Sequence, residues 1–209
     1  MYLPKHFEQT DADAMARLLA AHPLATLVWP AAGGLTAEHL PLMLERGAAD
    51  GEHGTLRGHV ARANPVWREA AGAAVLVAFQ GEQAYVTPSW YPSKAATGKV
   101  VPTWNYAVVH VHGQLRVIDD AGWLRDLVGR LTDTHEAPRA KRWQVDDAPA
   151  DYIDTMLGAI IGIEIPIQRW QGKWKISQNR SAADRAGVVE GLEAMHSDEA
   201  TAMARLVRG

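Results

Sequence analysis

The pattern of apolar positions predicts a chain built mainly from short β-strands. Strand-like apolar runs or alternations occupy residues 24–29, 35–45, 55–61, 73–79, 84–87, 102–118, 159–170 and 173–177. In such segments successive side chains point to opposite faces of a sheet. Segments containing glycine at 30–34, 81–83 and 171–172 predict turns that join consecutive strands as antiparallel hairpins.

Helical spacing is confined to segments that flank these strands. Helices are predicted over 10–21, from Asn64-Pro65, from Asp119-Asp120, over 150–158, and as a C-terminal pair at about 181–207. Thr10, Ser181 and Ser197 are the expected capping residues. The chain lacks the strand–helix alternation of a doubly wound parallel sheet. We therefore expect a mainly β fold with peripheral helices (α+β), a small β-barrel forming a single domain over 1–209.

Residues 102–113 form the most informative strand. Ala107, Val109 and Val111 share one face, as expected of packed core. The other face begins with Trp104 and Tyr106 and continues with valine and histidine. Its flat rings, next to the amide of Asn105, suit a planar heteroaromatic ligand. A core strand with an aromatic end remains the alternative interpretation.

Composition excludes several classes of site. The chain has 209 residues, a net charge of −3, eight Trp and no Cys. It can form no disulfide or thiolate metal site, and its charge does not favour nucleic acid or an anionic membrane. No signal peptide or transmembrane run is evident, which leads us to expect a cytoplasmic protein without membrane contact.

Familiar catalytic and nucleotide-binding motifs are missing from the sequence. It contains no Gly-x-Gly-x-x-Gly, no phosphate loop ending in Gly-Lys-Ser/Thr, and no Gly-x-Ser-x-Gly. His110 and His112 could reach one ion from the same strand face, but the sequence offers no third ligand. We therefore predict no metal site and identify no catalytic residue.

Two basic segments carry the remaining chemistry. Arg57 and His59 share a strand face, with Arg62 just beyond, and this group could hold a phosphate beside the helix that starts at Asn64. In the second segment Lys173 and Lys175 share a face. A solvated strand face and a charged surface hairpin are the respective alternatives.

Four blocks of sequence together resemble one family. They are Thr55–Pro65, Tyr85–Tyr91, Val101–Tyr106 with Val109, His110 and Gly113, and Trp174–Arg180. They are similar to the PaiB family, the FMN-binding negative transcriptional regulators of bacteria, and the similarity runs from Tyr2 to about Leu192. The resemblance implies an FMN-binding split β-barrel like that of pyridoxamine-phosphate oxidases. It also implies a homodimer with FMN in two clefts between subunits.

The resemblance further implies which residues contact FMN. The phosphate side would be formed by Arg57, Gly58, His59, Val60, Arg62 and Asn64. The ring side would be formed by Thr103, Trp104, Asn105 and Tyr106. Lys173, Lys175 and Gln178 would reach the ring edge or the phosphate, where a cation or amide favours reduction of the flavin.

Three functions follow from these expectations. The family name implies a transcriptional regulator, yet acidic residues outnumber arginines in the C-terminal helices, so DNA binding rests on the name alone. A bound FMN equally suits an oxidoreductase or flavin reductase that uses NAD(P)H. The third function is a non-catalytic sensor of flavin or haem, with His59, His110 or His112 as the axial ligand.

Overall fold

A nine-stranded sheet organises the computed structural model, which describes residues 1–209. The strands are β1 Glu8–Gln9, β2 Leu24–Ala31, β3 Gly34–Pro41, β4 Met43–Glu45, β5 Thr55–Ala61, β6 Ala74–Val86, β7 Thr103–Gln114, β8 Arg116–Ile118 and β9 Ile160–Lys175. The order of neighbours is β3-β2-β6-β7-β9-β5-β4, and β1 and β8 also pair with β9. Antiparallel pairing joins β2 to β3, β4 to β5, and β5 to β9. The predicted mainly β fold is confirmed.

Seven α-helices flank the strands. They are α1 Ala12–Ala21, α2 Val66–Glu69, α3 Ser93–Thr97, α4 Ala121–Glu136, α5 Ala150–Gly158, α6 Ala182–Glu193 and α7 Asp198–Arg208. Ser181 and Ser197 cap α6 and α7 as predicted. Asp11, rather than the predicted Thr10, caps α1 by accepting hydrogen bonds from two backbone N–H groups. None of these helices combines the length and the continuous apolar character that a membrane-spanning helix requires.

Two predicted turns are wrong, and both for the same reason. β6 continues through Gly81, and β9 continues through Gly172. A Cβ on Gly81 would lie 2.9 Å from a methyl carbon of Leu18, and one on Gly172 would lie 2.8 Å from the sulfur of Met15. Both neighbours belong to α1, so the two glycines give this helix room to pack closely rather than reversing the chain.

The chain forms two compact units, and β6, β7 and β9 contribute residues to each. The first unit comprises Met1–His22, Phe79–His110 and Gln171–Gly209. Its C-terminal helices pack on an apolar cluster whose buried members are Ala84, Val86, Tyr91, Val188, Leu192, Ala200, Met203, Ala204 and Val207. Burial of this continuous apolar face is what stabilises α6 and α7.

The second unit comprises Pro23–Ala78 and Val111–Trp170. β9 supplies its fully buried Ile161, Ile163 and Ile165. Pairing of β9 with β5 places these residues beside the buried Leu56 and Val60. Helices α4 and α5 add a smaller apolar cluster built on Leu124, Ile153 and Leu157.

Candidate functional site

The beginning of β7 carries the alternation that the sequence predicted. Asn105 and Ala107 are fully buried, whereas Trp104 is 48% exposed and Tyr106 is half-buried. The strand therefore turns one face into the core of the first unit and presents aromatic rings on the other. The interpretation of Ala107, Val109 and Val111 as core residues is confirmed, since all three are fully buried.

Two lysines of β9 lie against this aromatic strand. Lys175 Nζ donates hydrogen bonds to the Thr103 hydroxyl and, at 2.8 Å, to the carbonyl oxygen of Trp104. Lys173 is only 8% exposed; its Nζ donates to the carbonyl oxygen of Tyr2 at 3.1 Å and lies 5.3 Å from the centre of the Tyr106 ring. The partners of both ammonium groups are neutral oxygens and rings, which leaves their positive charge uncompensated.

The electrostatic consequence is clearest at Lys175. Burial lowers the pKa of its ammonium group from the usual value of 10.5; Tyr106 opposes this shift, while the positive charges of Lys173 and Arg180 add to it. An anion placed here would relieve both effects. We call Thr103, Trp104, Asn105, Tyr106, Lys173, Lys175 and Gln178 the lysine–aromatic cluster.

A buried polar contact fixes the position of the cluster's backbone. Asn105 Nδ2 donates to the Ser177 hydroxyl at 3.0 Å, and both side chains are buried. Ser177 has a φ of 65°, a left-handed conformation that is uncommon for a residue with a side chain. The chain thus bends sharply directly after β9, where the lysines end.

The amide of Gln178 holds the same bend. Its Oε1 accepts the backbone N–H of Ile176 at 2.8 Å, and its Nε2 donates to the carbonyl oxygen of Trp174. Both ends of the side chain therefore bond the protein's own backbone. In this structure Gln178 shapes the turn beside the lysines.

Trp104 belongs to an exposed aromatic surface. Its ring centre lies 6.0 Å from that of Tyr85, which is 50% exposed, and its indole N–H donates to Gln83 Oε1 at 3.2 Å. Large exposed rings held in place by hydrogen bonds are typical of sites for flat apolar ligands.

In the second unit, three carboxylates surround the predicted phosphate ligand Arg57. Its Nε donates to Glu164 at 2.7 Å, one terminal nitrogen donates to Asp50 at 2.9 Å, and the other pairs with Glu45. Arg130 adds a second cation to Glu45 at 2.7 Å. A phosphate contact by Arg57 would have to displace these carboxylates.

The neighbouring predicted phosphate ligands are engaged in the same way. Arg62 makes a two-pronged contact with Asp119 at 2.7 and 2.9 Å, and this hydrogen bonding lowers the pKa of Asp119. Asn64 accepts the backbone N–H of Val66 at 3.0 Å, as expected at a helix start, and donates to Glu38 at 2.8 Å. The Asn64 hydrogen bond is the main cause of the lowered pKa of Glu38.

The three central residues of β5 have apolar surroundings. A Cβ on Gly58 would lie 2.8 Å from a methyl carbon of Leu42, so glycine allows close packing there. Val60 is buried. His59 lines an apolar cavity, and burial lowers its pKa, so the imidazole is neutral at neutral pH and lacks the charge expected of a phosphate ligand.

The predicted histidine pair does not lie within a metal-binding cluster. No group of three or more His, Asp or Glu side chains is arranged to hold one metal ion. His112 has a lowered pKa, chiefly because of burial.

Comparison with known proteins identifies the family. A family model described as "Putative FMN-binding domain" matches residues 1–169. The chain belongs to this FMN-binding family. The match supports the predicted cofactor, FMN, and it extends over most of the chain rather than over a few residues.

Individual relatives agree with this assignment. The PAI 2 protease synthase and sporulation protein of Bacillus subtilis is 32% identical over 99% of this chain and 96% of its own length. An uncharacterized protein of Emericella nidulans is 35% identical over 100% of this chain and 96% of its own length. The resemblance to the PaiB family is confirmed, and the relatives extend to fungi.

Solved structures show the fold. The flavocytochrome Anf3 of Azotobacter vinelandii superposes with a TM-score of 0.59 at 13% identity, covering 83% of this chain and 72% of that one. A FAD and heme binding protein of Mycobacterium smegmatis gives 0.56 at 18% identity, covering 80% and 72%. The predicted split-barrel fold is confirmed.

The lysine–aromatic cluster fits FMN in two respects. FMN is anionic and carries a flat heteroaromatic ring; the cluster offers two cations without carboxylate partners beside exposed aromatic surface. Sequence reasoning had missed Tyr2, Gln83 and Tyr85 as its neighbours. Tyr85 stood in one of the blocks that resemble the family, whereas nothing in the sequence pointed to Tyr2, which lies 171 positions from Lys173.

Proposed function

We propose that the protein is a flavoprotein that binds FMN through the lysine–aromatic cluster and uses it for redox chemistry. The observation that carries the proposal is the position of the buried Lys173 and the partly buried Lys175 among neutral oxygens and rings. Uncompensated buried cations are costly to keep unless an anion completes the site. Bound FMN supplies the capacity to accept and return a hydride or single electrons.

Each member of the cluster has a distinct task in this proposal. Lys175 and Lys173 attract the anionic cofactor and favour its reduction by their positive charge. Trp104 and Tyr106 provide aromatic surface for the ring. Thr103 orients Lys175, while Asn105 and Gln178 hold the backbone in position.

The phosphate-side set, Arg57, Gly58, His59, Val60, Arg62 and Asn64, stays a prediction from the resemblance. Its test is FMN titration of Asn64→Ala, which keeps the arginine–carboxylate contacts. A phosphate role predicts weaker FMN binding with an unchanged affinity for riboflavin, which lacks the phosphate. Equal losses for both ligands would instead indicate that Asn64 acts through its hydrogen bond to the backbone N–H of Val66, at the start of α2.

The redox proposal is tested with the purified protein loaded with FMN. Under anaerobic conditions NADH or NADPH should bleach the flavin absorbance, and reoxidation by air should restore it. Lys175→Gln should bind FMN more weakly, and the flavin that remains bound should have a lower reduction potential. Persistent absorbance with both nucleotides would contradict use of NAD(P)H and leave cofactor binding to be judged by the titration.

The second candidate function, transcriptional regulation through DNA, has less support from the C-terminal helices. Arg185 donates to the carbonyl oxygen of Val207 at 2.8 Å, and Arg208 pairs with Glu193. Two arginines of the helix pair are thus engaged within the protein, while DNA affinity depends on phosphate neutralisation. A gel-shift titration at low salt tests this function, and retardation of DNA by the FMN-loaded protein would favour it.

We also propose a homodimer in the cytoplasm. Support comes from the resemblance, from the large number of Trp residues, which are enriched at interfaces, and from the absence of Cys. Light scattering at micromolar concentration should give twice the mass of one chain. A monomeric mass with FMN bound would show that a single chain holds the cofactor.

A further inference from the structure

The segment 1–4 contacts the lysine–aromatic cluster at Lys173. The carbonyl oxygen of Tyr2 accepts a hydrogen bond from Lys173 Nζ at 3.1 Å, and the same Nζ lies 5.8 Å from the centre of the Tyr2 ring. We call residues 1–4 the N-terminal strap. Through Tyr2 the strap forms part of the immediate surroundings of a cation that we assign to the FMN site.

The backbone of the N-terminal strap is held on both sides of its turn. β1 pairs with β9 directly after the strap, with Glu8 opposite Lys173. Phe7 is buried, and its backbone N–H donates to the carbonyl oxygen of Pro4 at 2.8 Å. The ring of Pro4 restricts its own backbone further. The position of Tyr2 beside Lys173 is therefore fixed by pairing and hydrogen bonds rather than by a loose end of the chain.

The side chain of Tyr2, in contrast, is accessible to a ligand. It is 84% exposed, whereas Lys173 beside it is buried. Single exposed rings are ordinary on protein surfaces. This ring differs because a fixed backbone presents it next to a buried cation, so contact with a ligand would cost little conformational entropy.

The hydrogen-bonding capacity of Lys173 determines where a ligand would lie. An ammonium group has three N–H donors, and the Tyr2 carbonyl oxygen is the only acceptor in the protein that Lys173 Nζ contacts. Two donors therefore remain for a ligand. Because the third is occupied by Tyr2, any ligand that bonds Lys173 lies next to Tyr2.

The rings around Lys173 indicate which part of FMN lies there. Its Nζ is placed over the Tyr2 ring at 5.8 Å and over the Tyr106 ring at 5.3 Å from their centres. The faces of aromatic rings carry partial negative charge, which disfavours a dianionic phosphate between them. A flat heteroaromatic ring packs well against such faces. The flavin ring, rather than the phosphate, is the part expected beside Tyr2.

We propose that Tyr2 is a further residue of the FMN site, whose ring packs on the flavin ring and slows release of the cofactor. Its carbonyl group orients Lys173 toward the same ring. This inference rests on the proposed function and adds control of cofactor exchange to it. Every substitution of Tyr2 keeps the backbone carbonyl group, so the task of the side chain is tested separately from that of the carbonyl.

The test is the rate of flavin release from the loaded full-length protein, followed by fluorescence after dilution. Tyr2→Ala should raise the dissociation rate constant roughly tenfold, as expected for loss of one aromatic contact, and equally for FMN and riboflavin. Tyr2→Phe keeps the ring and should release flavin at the wild-type rate. Tyr152→Ala removes an exposed tyrosine of the second unit and is the matched control, with no change expected.

The outcomes separate this inference from the proposed function. If the wild type binds FMN and Tyr2→Ala releases it at the wild-type rate, the inference is wrong and the proposed site stands. If Tyr2→Phe releases flavin as fast as Tyr2→Ala, the ring is not what retains it. Faster release of FMN alone would place the phosphate beside Tyr2 and contradict the ring contact. A wild type that binds no FMN would overturn both proposals.

Chemical labelling provides a measurement that does not depend on release rates. The chain has no Cys, so Tyr2→Cys introduces a single thiol. Saturating FMN should slow the reaction of this thiol with N-ethylmaleimide, because the flavin ring covers position 2. Lys99→Cys places a thiol at an exposed position of the same unit and should react equally with and without FMN. Equal rates at position 2 with and without FMN would contradict the proposal.

Discussion

Cations that are buried or partly buried have opposite kinds of partner in the two compact units. In the second unit Arg57 contacts three carboxylates, from Glu45, Asp50 and Glu164. In the first unit Lys173 and Lys175 contact a hydroxyl group, carbonyl oxygens and a ring. Both sets lie on the β5 and β9 strands, yet only the arginine has its charge balanced by the protein itself.

This difference in partners distinguishes cations that stabilise the fold from cations that are available to bind a ligand. A cation that is matched by carboxylates contributes to a fixed network and leaves little attraction for an outside anion. A desolvated cation without a carboxylate partner weakens the fold slightly and attracts an anionic ligand strongly. A basic residue therefore indicates a ligand site only when its partners in the folded protein are known. Here the unpaired cations are Lys173 and Lys175, and they indicate the site.

The largest effect should follow from removal of Arg57. Arg57→Met leaves Glu45, Asp50 and Glu164 close together without their common cation. Because breaking a largely buried ion pair costs about 3–5 kcal/mol, the free energy of unfolding should fall by that amount. Urea unfolding followed by circular dichroism measures this loss, and FMN titration of the folded fraction tests separately whether Arg57 also belongs to the predicted phosphate side.

An exposed arginine provides the control for this experiment. Arg17 pairs with Asp11 at 3.8 Å, with 72% and 58% of the two side chains exposed. Arg17→Met should change the free energy of unfolding by less than about 1 kcal/mol. Equal effects of the two substitutions would show that the carboxylate network does not stabilise the second unit.

Substitution of Lys175 should affect FMN affinity strongly and stability little, the opposite of what is expected for Arg57. Lys175→Gln removes a charge that would contact FMN, so the dissociation constant should rise by roughly tenfold or more, as for a lost charged hydrogen bond. Stability without FMN should stay the same or increase, because a desolvated cation is removed. Fluorescence titration of FMN and urea unfolding measure the two quantities.

The matched control for Lys175 is Lys99→Gln, which removes an exposed lysine of the same unit. This substitution should leave the FMN dissociation constant within about twofold of the wild type, because a solvated charge contributes little. If both lysine substitutions weakened binding equally, the attraction would come from net charge and not from the cluster.

Most strands, and the aromatic face of β7, could be predicted from the sequence alone. Alternation in that strand depends on local geometry, so Asn105 and Ala107 could be assigned to one face directly. Gly81 and Gly172 were misinterpreted as turn residues because a glycine in sequence does not show whether the backbone bends or a neighbour approaches. The neighbour, α1, is distant in sequence from both.

The sequence predicted which types of residue form the candidate site, but it did not predict the ion-pair partners of the basic residues. Lys173 and Lys175 were identified from their strand pattern and from the family resemblance. The carboxylates around Arg57 could not be, since Glu164 lies 107 positions away and approaches only through the pairing of β5 with β9. Long-range pairing thus decides which basic residues are already satisfied.

A neutral contact tests whether the cluster also depends on uncharged polar groups. Ser177→Ala leaves the buried Asn105 amide without its partner, which should cost about 1–3 kcal/mol of unfolding free energy. Ser177→Gly also removes the hydroxyl, but it relieves the left-handed backbone and should cost about 1 kcal/mol less. Equal stability of the two variants would contradict a strained backbone at this position.

The smallest effect is the pH dependence of stability that Lys175 contributes without FMN. Its pKa in the folded protein is below the usual 10.5; at pH values below this folded pKa both folded and unfolded chains carry the proton, and the burial penalty is fully present. Between the folded pKa and 10.5 the folded chain releases its proton first, and the penalty disappears. The wild type should therefore gain stability relative to Lys175→Met as the pH rises through this window. Urea unfolding of both proteins from neutral pH to about 10.5 measures the difference, and a constant difference would show that the Lys175 ammonium group is as well solvated in the folded protein as in the unfolded chain.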